Sequence, residues 1–310
     1  MPVFDAEKVM SADSYGLDAA TRRATEDSNS RIDLMWWKRW FANLEANESE
    51  WKSRPALSSL FGSWKGERCI VAGAGPSLKE NLPLLEEAAK CGWRIVSVDR
   101  AFTMLKEGGI RPDITVSSDA GACVTDFFDK ATPGSDDVFA LSVITHPDVY
   151  KKLSNCQIYV YSCANPFSAF WRFAAERLSK GVPCLRPGFI VTFSAVDLAL
   201  WMGANPIMTV GNELSWREGA PTEKCYEDAK LIRAPGGRIT ISSFLKAARA
   251  FRFFSARYPD VEFIDASGGI AEGWKKTDME KAIREISVVG VERCTADAEA
   301  EQPRMQAAAL

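Results

Sequence analysis

The sequence predicts an α/β fold, Rossmann-like and doubly wound, in which a mostly parallel sheet carries helices on both faces. From Arg68 onward, short apolar runs alternate with amphipathic stretches, and such alternation is typical of right-handed crossovers between parallel strands. The apolar runs are rich in β-branched residues and show little polar alternation, as strands buried on both faces do. A glycine-rich loop follows the first run, at a place where doubly wound folds bind ligands.

Seven apolar runs are expected to form the strands. In chain order they cover residues 69–72, 93–98, 114–118, 138–144, 157–161, 206–210 and 261–264. The amphipathic stretches between them are expected to form helices, because their apolar residues recur at helical spacing. The clearest of these cover residues 82–90, 168–178, 191–202 and 243–258.

Composition divides the chain into four segments. Residues 1–30 are polar and aperiodic and are expected to be flexible, and so is the alanine- and glutamate-rich tail 295–310. An aromatic-rich helical extension is expected over residues 31–62. One Rossmann-like domain is expected over residues 63–294.

Large apolar residues recur at helical spacing inside this extension. Trp37, Trp40, Phe41 and Leu44 share one face, which predicts an amphipathic helix over residues 32–44. We expect the helix to pack on the main domain or on a second subunit, so that the protein is a candidate homo-oligomer. Attachment to a membrane surface is the alternative, although only two basic residues accompany the tryptophans.

Composition also excludes several classes of function. A net charge of −3 and a pI near 5.5 give no electrostatic basis for binding nucleic acid. No apolar run reaches the roughly 18 residues that a membrane span requires, and the first residues lack the apolar core of a signal peptide, so a cytoplasmic location is expected. Eight cysteines without a CxxC pair and one histidine favour neither a disulfide framework nor a structural metal site.

The loop after the first strand has the composition of a nucleotide cradle. Its glycines let the backbone approach a ligand, and backbone N–H groups at the carboxyl end of a strand bind phosphate or ribose. The residues that we assign to nucleotide binding here are Gly73, Gly75, Pro76 and Ser77. A helix is expected to start only after residue 80, which leaves Ser77 free to contact the ligand. Leu78 replaces the third glycine of the dinucleotide fingerprint, so a purely structural turn is the alternative.

Two carboxylates follow the next two strands. Asp99 ends the second strand, where Rossmann-type folds hold a ribose hydroxyl, and Asp119 follows the third strand. Because parallel strands end at the same edge of a sheet, three consecutive strands bring polar groups together there. We assign Asp99 to the nucleotide and Asp119 to acid–base chemistry.

Segments 71–78, 98–101 and 109–119 together resemble the MptE-like/Maf family. Its members include the Maf flagellin glycosyltransferases and the archaeal 6-hydroxymethyl-dihydropterin pyrophosphokinase. The Gly-x-Gly-Pro-Ser-Leu opening is also similar to that of bacterial sialyltransferases that use CMP-sialic acid. The resemblance extends over roughly residues 60–275.

Downstream segments add to the resemblance. Residues 187–192 lead into a glycine-led helix, and residues 264–269 are similar to the family's Asn-x-x-x-Gly-Gly segment. The family's Gly-x-Asp-Leu motif corresponds to residues 211–214, where Glu213 stands in place of the usual aspartate. These downstream matches favour the glycosyltransferase side of the family.

The resemblance implies an enzyme that transfers a sugar from a nucleotide donor to a protein or glycan acceptor. The donor would be a CMP-activated nonulosonic acid, a sialic-acid-like sugar, and no cofactor would be needed. The first alternative is a pyrophosphokinase that uses ATP with Mg²⁺, for which one carboxylate in residues 117–120 is a poor platform. The second alternative is a non-catalytic nucleotide-binding protein.

Several further residues are candidates for contacts with the nucleotide. Gly188 and Thr192 lie near a helix start, where they can donate hydrogen bonds to the leaving phosphate with help from the helix dipole. Arg186 could add positive charge. Gly211 and Asn212 follow the sixth strand and are assigned to the ribose or the base.

Three side chains are candidates for acid–base chemistry. Asp119 and Glu213 follow strands at the expected binding edge, and His146 carries an imidazole, the side chain that most often serves as a general base. His146 is followed by Pro147, however, and a proline at the first helical position makes helix capping the alternative role.

Overall fold

The structure, a computed structural model, describes residues 34–163, 165, 168–178, 181–187, 189–217 and 230–286. In this part of the chain nine strands form one sheet in which every strand pairs in parallel with its neighbours. The predicted α/β class with a Rossmann-like arrangement is therefore confirmed. The predicted flexible segments 1–30 and 295–310 lie outside the described residues.

All seven predicted strands are present, and their ends agree with the predictions to within two residues. The strands are β1 (Cys69–Ala72), β2 (Arg94–Val98), β3 (Ile114–Ser117), β4 (Val138–Ser142), β5 (Gln157–Cys163), β6 (Cys184–Leu185), β7 (Ile207–Val210), β8 (Leu231–Arg233), β9 (Ile239–Ile241), β10 (Phe263–Asp265) and β11 (Lys275–Lys276). The four additional strands, β6, β8, β9 and β11, have only two or three residues each. Strands β8 and β9 pair with each other as an antiparallel hairpin outside the main sheet.

Helices connect the strands as the crossovers require. They are α1 (34–46), α2 (Glu48–Ser53), α3 (Pro76–Glu80), α4 (Leu82–Lys90), α5 (Asp99–Glu107), α6 (Pro147–Lys152), α7 (Ala169–Arg177), α8 (Val191–Met202), α9 (Ser242–Ala250), α10 (Arg252–Arg257) and α11 (279–286). The prediction of one continuous helix over residues 243–258 was wrong, because this stretch forms two helices, α9 and α10, that are separated at Phe251. The helix expected after residue 80 is present as α4, which carries a proline in its first turn. The expectation that no helix starts before residue 81 was wrong, because residues Pro76–Glu80 form the short helix α3.

The strand order places the reversal of the sheet next to the glycine loop. The order across the sheet is β11-β10-β7-β1-β2-β3-β4-β5-β6, so the chain moves outward from β1 in one direction and then returns to the other side of β1. Every residue of β1, β3 and β7 is buried, in agreement with their continuous apolar character. Doubly wound folds bind ligands outside the carboxyl ends of the strands at such a reversal.

Helix α1 packs on the main domain through its aromatic face. The ring of Phe170 in α7 lies 5.2 Å from that of Trp40 and 5.3 Å from that of Phe41, measured between centroids. Asn43 on the same helix and Asn47, the residue that follows the helix, are buried against loops of the sheet. Pairing of this helix with a second subunit stays a prediction. Among the described residues, no helix combines the length and the apolar character that crossing a membrane requires.

Candidate functional site

The carboxyl edge of the sheet has two parts. The glycine half consists of the loops that follow β1, β7 and β10, and it contains Gly73, Gly75, Gly211 and Glu213. The aspartate half consists of the loops that follow β2, β3 and β4, and it contains Asp99, Asp119 and His146. The candidate residues that the sequence identified fall in one half or the other, apart from the 186–192 segment.

In the glycine half, the loops after β1 and β7 are in direct backbone contact. The N–H of Gly73 donates to the Val210 carbonyl and that of Gly75 to the Gly211 carbonyl, each at 2.8 Å. A Cβ atom on Gly73 would lie 2.3 Å from the Gly211 oxygen, and one on Gly211 would lie 2.2 Å from the Gly73 oxygen. Gly211 also has a φ of 69°, which disfavours any other residue. Close packing of the two loops is therefore sufficient to require both glycines.

Ser77 is bonded to the β7 loop rather than open to a ligand. Its backbone N–H donates to Glu213 Oε1 at 2.6 Å, and its hydroxyl oxygen accepts the N–H of Gly211 at 2.9 Å. The expectation that Ser77 is left free was wrong, because its partners lie 134 and 136 residues away in the sequence. Pro76, which has no N–H to donate, is the first residue of α3. Phosphate binding at this loop would require Glu213 to leave the Ser77 N–H.

Burial raises the pKa of Glu213, and hydrogen bonds from Ser77 oppose that rise. The neighbouring carboxyl of Asp265, at the end of β10, adds a further upward contribution. Burial likewise raises the pKa of Asp265, although its Oδ1 accepts the Ser267 N–H at 3.0 Å. Ser267 Oγ in turn accepts the backbone N–H of Asn212 at 3.0 Å. Glu213, Asn212 and Asp265 therefore belong to one buried polar network.

Three atoms of this network have no hydrogen-bond partner among the described residues. They are Asn212 Nδ2, Glu213 Oε2 and Asp265 Oδ2. Buried polar groups are generally satisfied, so three unsatisfied ones together mark a place where water or a ligand completes the network. Asp265 has no local signal in the sequence beyond the resemblance of segment 264–269.

In the aspartate half, the carboxylate of Asp99 is held at the start of α5. Its Oδ1 accepts the N–H of Arg100 at 2.8 Å and its Oδ2 accepts the hydroxyl of Ser117 at 3.0 Å. Burial, followed by the nearby charge of Asp119, raises the pKa of Asp99 to about 6, and the two hydrogen bonds oppose the rise. The two carboxylates that the sequence placed at one edge are thus close enough to interact electrostatically.

Asp119 is only half buried, unlike Asp99. Its Oδ1 accepts the N–H of Gly121 at 2.7 Å. Within the described part of the chain, no group donates a hydrogen bond to its second carboxylate oxygen. Asp119 therefore lies partly exposed just after β3, with one carboxylate oxygen that no described group occupies.

His146 connects to Asp119 through the backbone. The His146 N–H donates to the Asp119 carbonyl at 3.1 Å, and the imidazole Nδ1 accepts the N–H of Asp148 at 3.3 Å as the cap of α6. Pro147 is the first residue of that helix. The capping alternative is therefore what the structure contains, and a catalytic role for His146 stays a prediction.

The described residues of the segment 186–192 make the following contacts outside both halves. The guanidinium of Arg186 is buried and pairs with Asp197 at 2.7 Å, while its backbone N–H donates to the other Asp197 oxygen at 2.9 Å. The idea that Arg186 adds charge near a leaving phosphate was wrong, because Asp197 already neutralises it inside the core. Thr192 is buried in the first turn of α8, and Gly188 lies outside the described residues.

Helix α1 packs over the aspartate half, and this contact was not predicted from the sequence. The side-chain amide of Asn43 donates to the carbonyls of Ala120 at 3.1 Å and Ile144 at 2.9 Å. That of Asn47 donates to the carbonyls of Val143 at 3.0 Å and Thr145 at 2.8 Å. Two asparagines thus join α1 to the loops that carry Asp119 and His146.

The donor set of the described residues contains no group of three or more His, Cys, Asp or Glu side chains that could hold a metal ion. In the aspartate half, both oxygens of Asp99 already accept hydrogen bonds. Among the described residues of this half, Asp119 offers Mg²⁺ a carboxylate oxygen that accepts no hydrogen bond, and phosphates and water would supply further ligands.

Comparisons with known proteins agree with the fold. A family model described as 6-hydroxymethylpterin diphosphokinase MptE-like matches residues 39–219. No curated protein matches the chain. Among solved structures, the chain is similar to the Maf glycosyltransferase from Magnetospirillum magneticum AMB-1, with 19% identity and a TM-score of 0.60. The match covers 77% of this chain and only 38% of that one, so the likeness is one of fold over part of a longer protein.

Proposed function

The chain belongs to the 6-hydroxymethylpterin diphosphokinase MptE-like family, and from this we propose that it is a nucleotide-dependent transferase. The preferred reaction is transfer of a sugar from a nucleotide donor, such as a CMP-activated nonulosonic acid, to a protein or glycan acceptor. The fold shared with a solved protein named a glycosyltransferase supports this choice, as do the downstream motifs of residues 187–192 and 211–214.

One observation carries the proposal, namely the pair of unlike carboxyl groups in the aspartate half. Asp99 is buried with a pKa of about 6, whereas Asp119 is half buried with an open oxygen. Two titratable groups in different environments at the binding edge of a doubly wound sheet are typical of acid–base sites. Glycosyl transfer needs such a base for the acceptor hydroxyl.

In the proposed reaction, the hydroxyl oxygen of the acceptor forms a bond to the anomeric carbon of the donor sugar. Asp119 accepts the proton that this hydroxyl group loses. The bond between that carbon and the phosphate oxygen breaks, and the phosphate leaves with the electron pair as part of the nucleoside monophosphate. Asp99 keeps the end of β3 in position through Ser117, and with a pKa of about 6 it is mostly ionised at neutral pH. General-base contributions of this kind amount to roughly 10²–10⁴-fold in rate.

Glu213 has a different place in the proposal. Its carboxylate stabilises the contact between the β1 and β7 loops by accepting the Ser77 N–H, so we assign it a positioning role rather than the catalytic one predicted from the sequence. The nucleotide is proposed to run along the loop from Gly73 to Ser77 toward Asp99, with Asn212 offering its unsatisfied amide nitrogen from β7.

The alternative function is that of a diphosphokinase, and the description of the family model favours it. Such an enzyme would hold Mg-ATP in the aspartate half, where Asp119 has an open oxygen. Because each Asp99 oxygen already accepts a hydrogen bond, Asp119 is the member of this pair of carboxylates that has an oxygen without one. One carboxylate is the lower limit of the one or two that Mg²⁺ sites use, so we keep the metal-independent transfer as the preferred reaction.

Isothermal titration of the purified protein with CMP and with ATP, each with and without Mg²⁺, separates these functions. Metal-independent binding of CMP is the expected result, and release of CMP from a nonulosonate donor should follow. Binding of ATP that requires Mg²⁺, without any binding of CMP, would replace the glycosyltransferase by the diphosphokinase. Binding without turnover of any donor would identify a non-catalytic nucleotide-binding protein, and no binding of either nucleotide would overturn the proposal.

A further inference from the structure

Helix α1 is attached to the catalytic edge along one stripe of its surface. Asn43 and Asn47 are four residues apart, so they lie on the same face of the helix, and both are buried with their amides on loop carbonyls of the aspartate half. Buried hydrogen bonds between such distant segments define the position of the helix. The residue four positions before Asn43 on this face is Arg39.

The guanidinium of Arg39 and the carboxylate of Asp119 both lie next to Gly121. A Cβ atom on Gly121 would lie 3.2 Å from Asp119 Oδ1 and 4.0 Å from a terminal nitrogen of Arg39. The guanidinium also lies over the ring of Trp36, 4.9 Å from its centroid. This contact orients the charged group above Gly121, because an aromatic face attracts a guanidinium.

A nucleotide at this edge needs a cation for its phosphate. Asp99 and Asp119 bring negative charge to the edge, and the backbone donors of Gly75 and Ser77 are engaged with the β7 loop. Arg39 is exposed, and it makes no ion pair with any residue that the structure describes. A planar guanidinium with several N–H donors is well suited to bind phosphate oxygens in pairs.

We infer that Arg39 binds a phosphate group of the nucleotide, and that α1 therefore forms one wall of the ligand site. The inference rests on the proposed function and deepens it, since it assigns the phosphate to the aspartate half and away from the glycine loop. It also gives the aromatic residues of this helix a second role. They hold α1 on α7 and, through Trp36, orient the residue that meets the anionic part of the substrate.

The test compares Arg39→Gln with Lys38→Gln, which removes the same charge from the neighbouring position. Lys38 lies over Trp37, 5.9 Å from its centroid, so it contacts a different ring of the same helix. Titration calorimetry measures the affinity of each variant for CMP and for cytidine, which lacks the phosphate. Melting temperatures check that both variants are folded, as expected for changes at exposed side chains.

We expect Arg39→Gln to weaken CMP binding about tenfold or more and to leave cytidine binding unchanged, while Lys38→Gln binds both as the wild type does. Equal affinity of Arg39→Gln and wild type for CMP would overturn this inference and leave the proposed function standing. An equal loss for CMP and cytidine would also overturn it, because the residue would then not act through the phosphate. If the wild type binds neither CMP nor ATP, the proposed function fails and the inference fails with it.

Discussion

The two halves of the carboxyl edge differ in what their polar groups contact. In the glycine half, the N–H groups of Gly73, Gly75 and Ser77 all bond to the last residue of β7 or to the loop that follows it. In the aspartate half, Asp119 keeps an oxygen open to solvent and lies beside a second carboxyl with a raised pKa. The half whose sequence most resembles a nucleotide cradle is thus the one whose backbone N–H donors are already bonded within the protein.

This difference shows that glycine in a loop can serve close contact between two loops as well as contact with a ligand. Gly73 and Gly211 each leave no room for a side chain on the other. The Glu213 carboxylate accepts the N–H at the start of α3, where a bound anion would otherwise lie. The chemistry is therefore expected in the neighbouring half, and the following changes test the two halves separately.

The largest expected effect is on stability in the glycine half. Gly211→Ala would place a Cβ atom 2.2 Å from the Gly73 oxygen at a φ of 69°, and backbone atoms cannot move aside cheaply. We expect a loss of about 4 kcal/mol or more in the free energy of unfolding, measured by denaturant titration. Gly92→Ala is the matched control, because its φ of 81° is similar but nothing lies within 4 Å of the new atom.

The control variant should lose only about 1 kcal/mol, the ordinary cost of a side chain at positive φ. Equal losses for Gly211→Ala and Gly92→Ala would mean that the loops do not pack as closely as described. The comparison between the two halves would then lose its structural basis.

A smaller effect is expected in the aspartate half, and it depends on pH. The pKa of Asp99 is raised from 3.8 to about 6, so the folded state binds the proton more tightly than the unfolded state. Protonated Asp99 therefore adds to the free energy of unfolding. This contribution has its full value below pH 3.8 and is lost as the pH rises through about 6. The loss is about 3 kcal/mol.

Asp99→Asn removes this titration and keeps the size of the side chain. The free energy of unfolding of the wild type, relative to that of Asp99→Asn, should fall between pH 4 and pH 6.5. Asp148→Asn serves as the control, because Asp148 is exposed and its pKa is lowered by Lys151. A pH dependence that is the same in wild type and Asp99→Asn would contradict the assignment of a raised pKa to Asp99.

The main strands of the sheet could be predicted because each one is marked by a local pattern in the sequence. Runs such as Cys69–Ala72 and Ile207–Val210 are apolar along their whole length, and strands buried on both faces have this property. Strands β6 and β11 were missed because two residues carry no periodicity. The hairpin of β8 and β9 was missed for the same reason, with three residues in each strand.

The candidate site was less accessible to sequence reasoning because its contacts join distant segments. The residues Asp99 and Asp119 were predicted correctly to share an edge, since both follow strands of a parallel sheet. The bond between Ser77 and Glu213 spans 136 residues, and that between Asn43 and the Ile144 carbonyl spans 101. No local pattern signals either one, so the closure of the glycine half and the position of α1 required the structure.

We expect the aspartate half, and not the glycine half, to carry the chemistry. The most direct measurement is the rate of CMP release from CMP-N-acetylneuraminic acid, a nonulosonate donor, by wild type, Asp119→Asn and Glu213→Gln. Both substitutions preserve side-chain size, and in Glu213→Gln the amide oxygen can still accept the Ser77 N–H. Melting temperatures establish that all three proteins are folded.

We predict that Asp119→Asn releases CMP about 100-fold more slowly than the wild type or slower still, and that Glu213→Gln stays within a few-fold of it. The opposite result, with Asp119→Asn active and Glu213→Gln inactive, would contradict the account and return the chemistry to the glycine half.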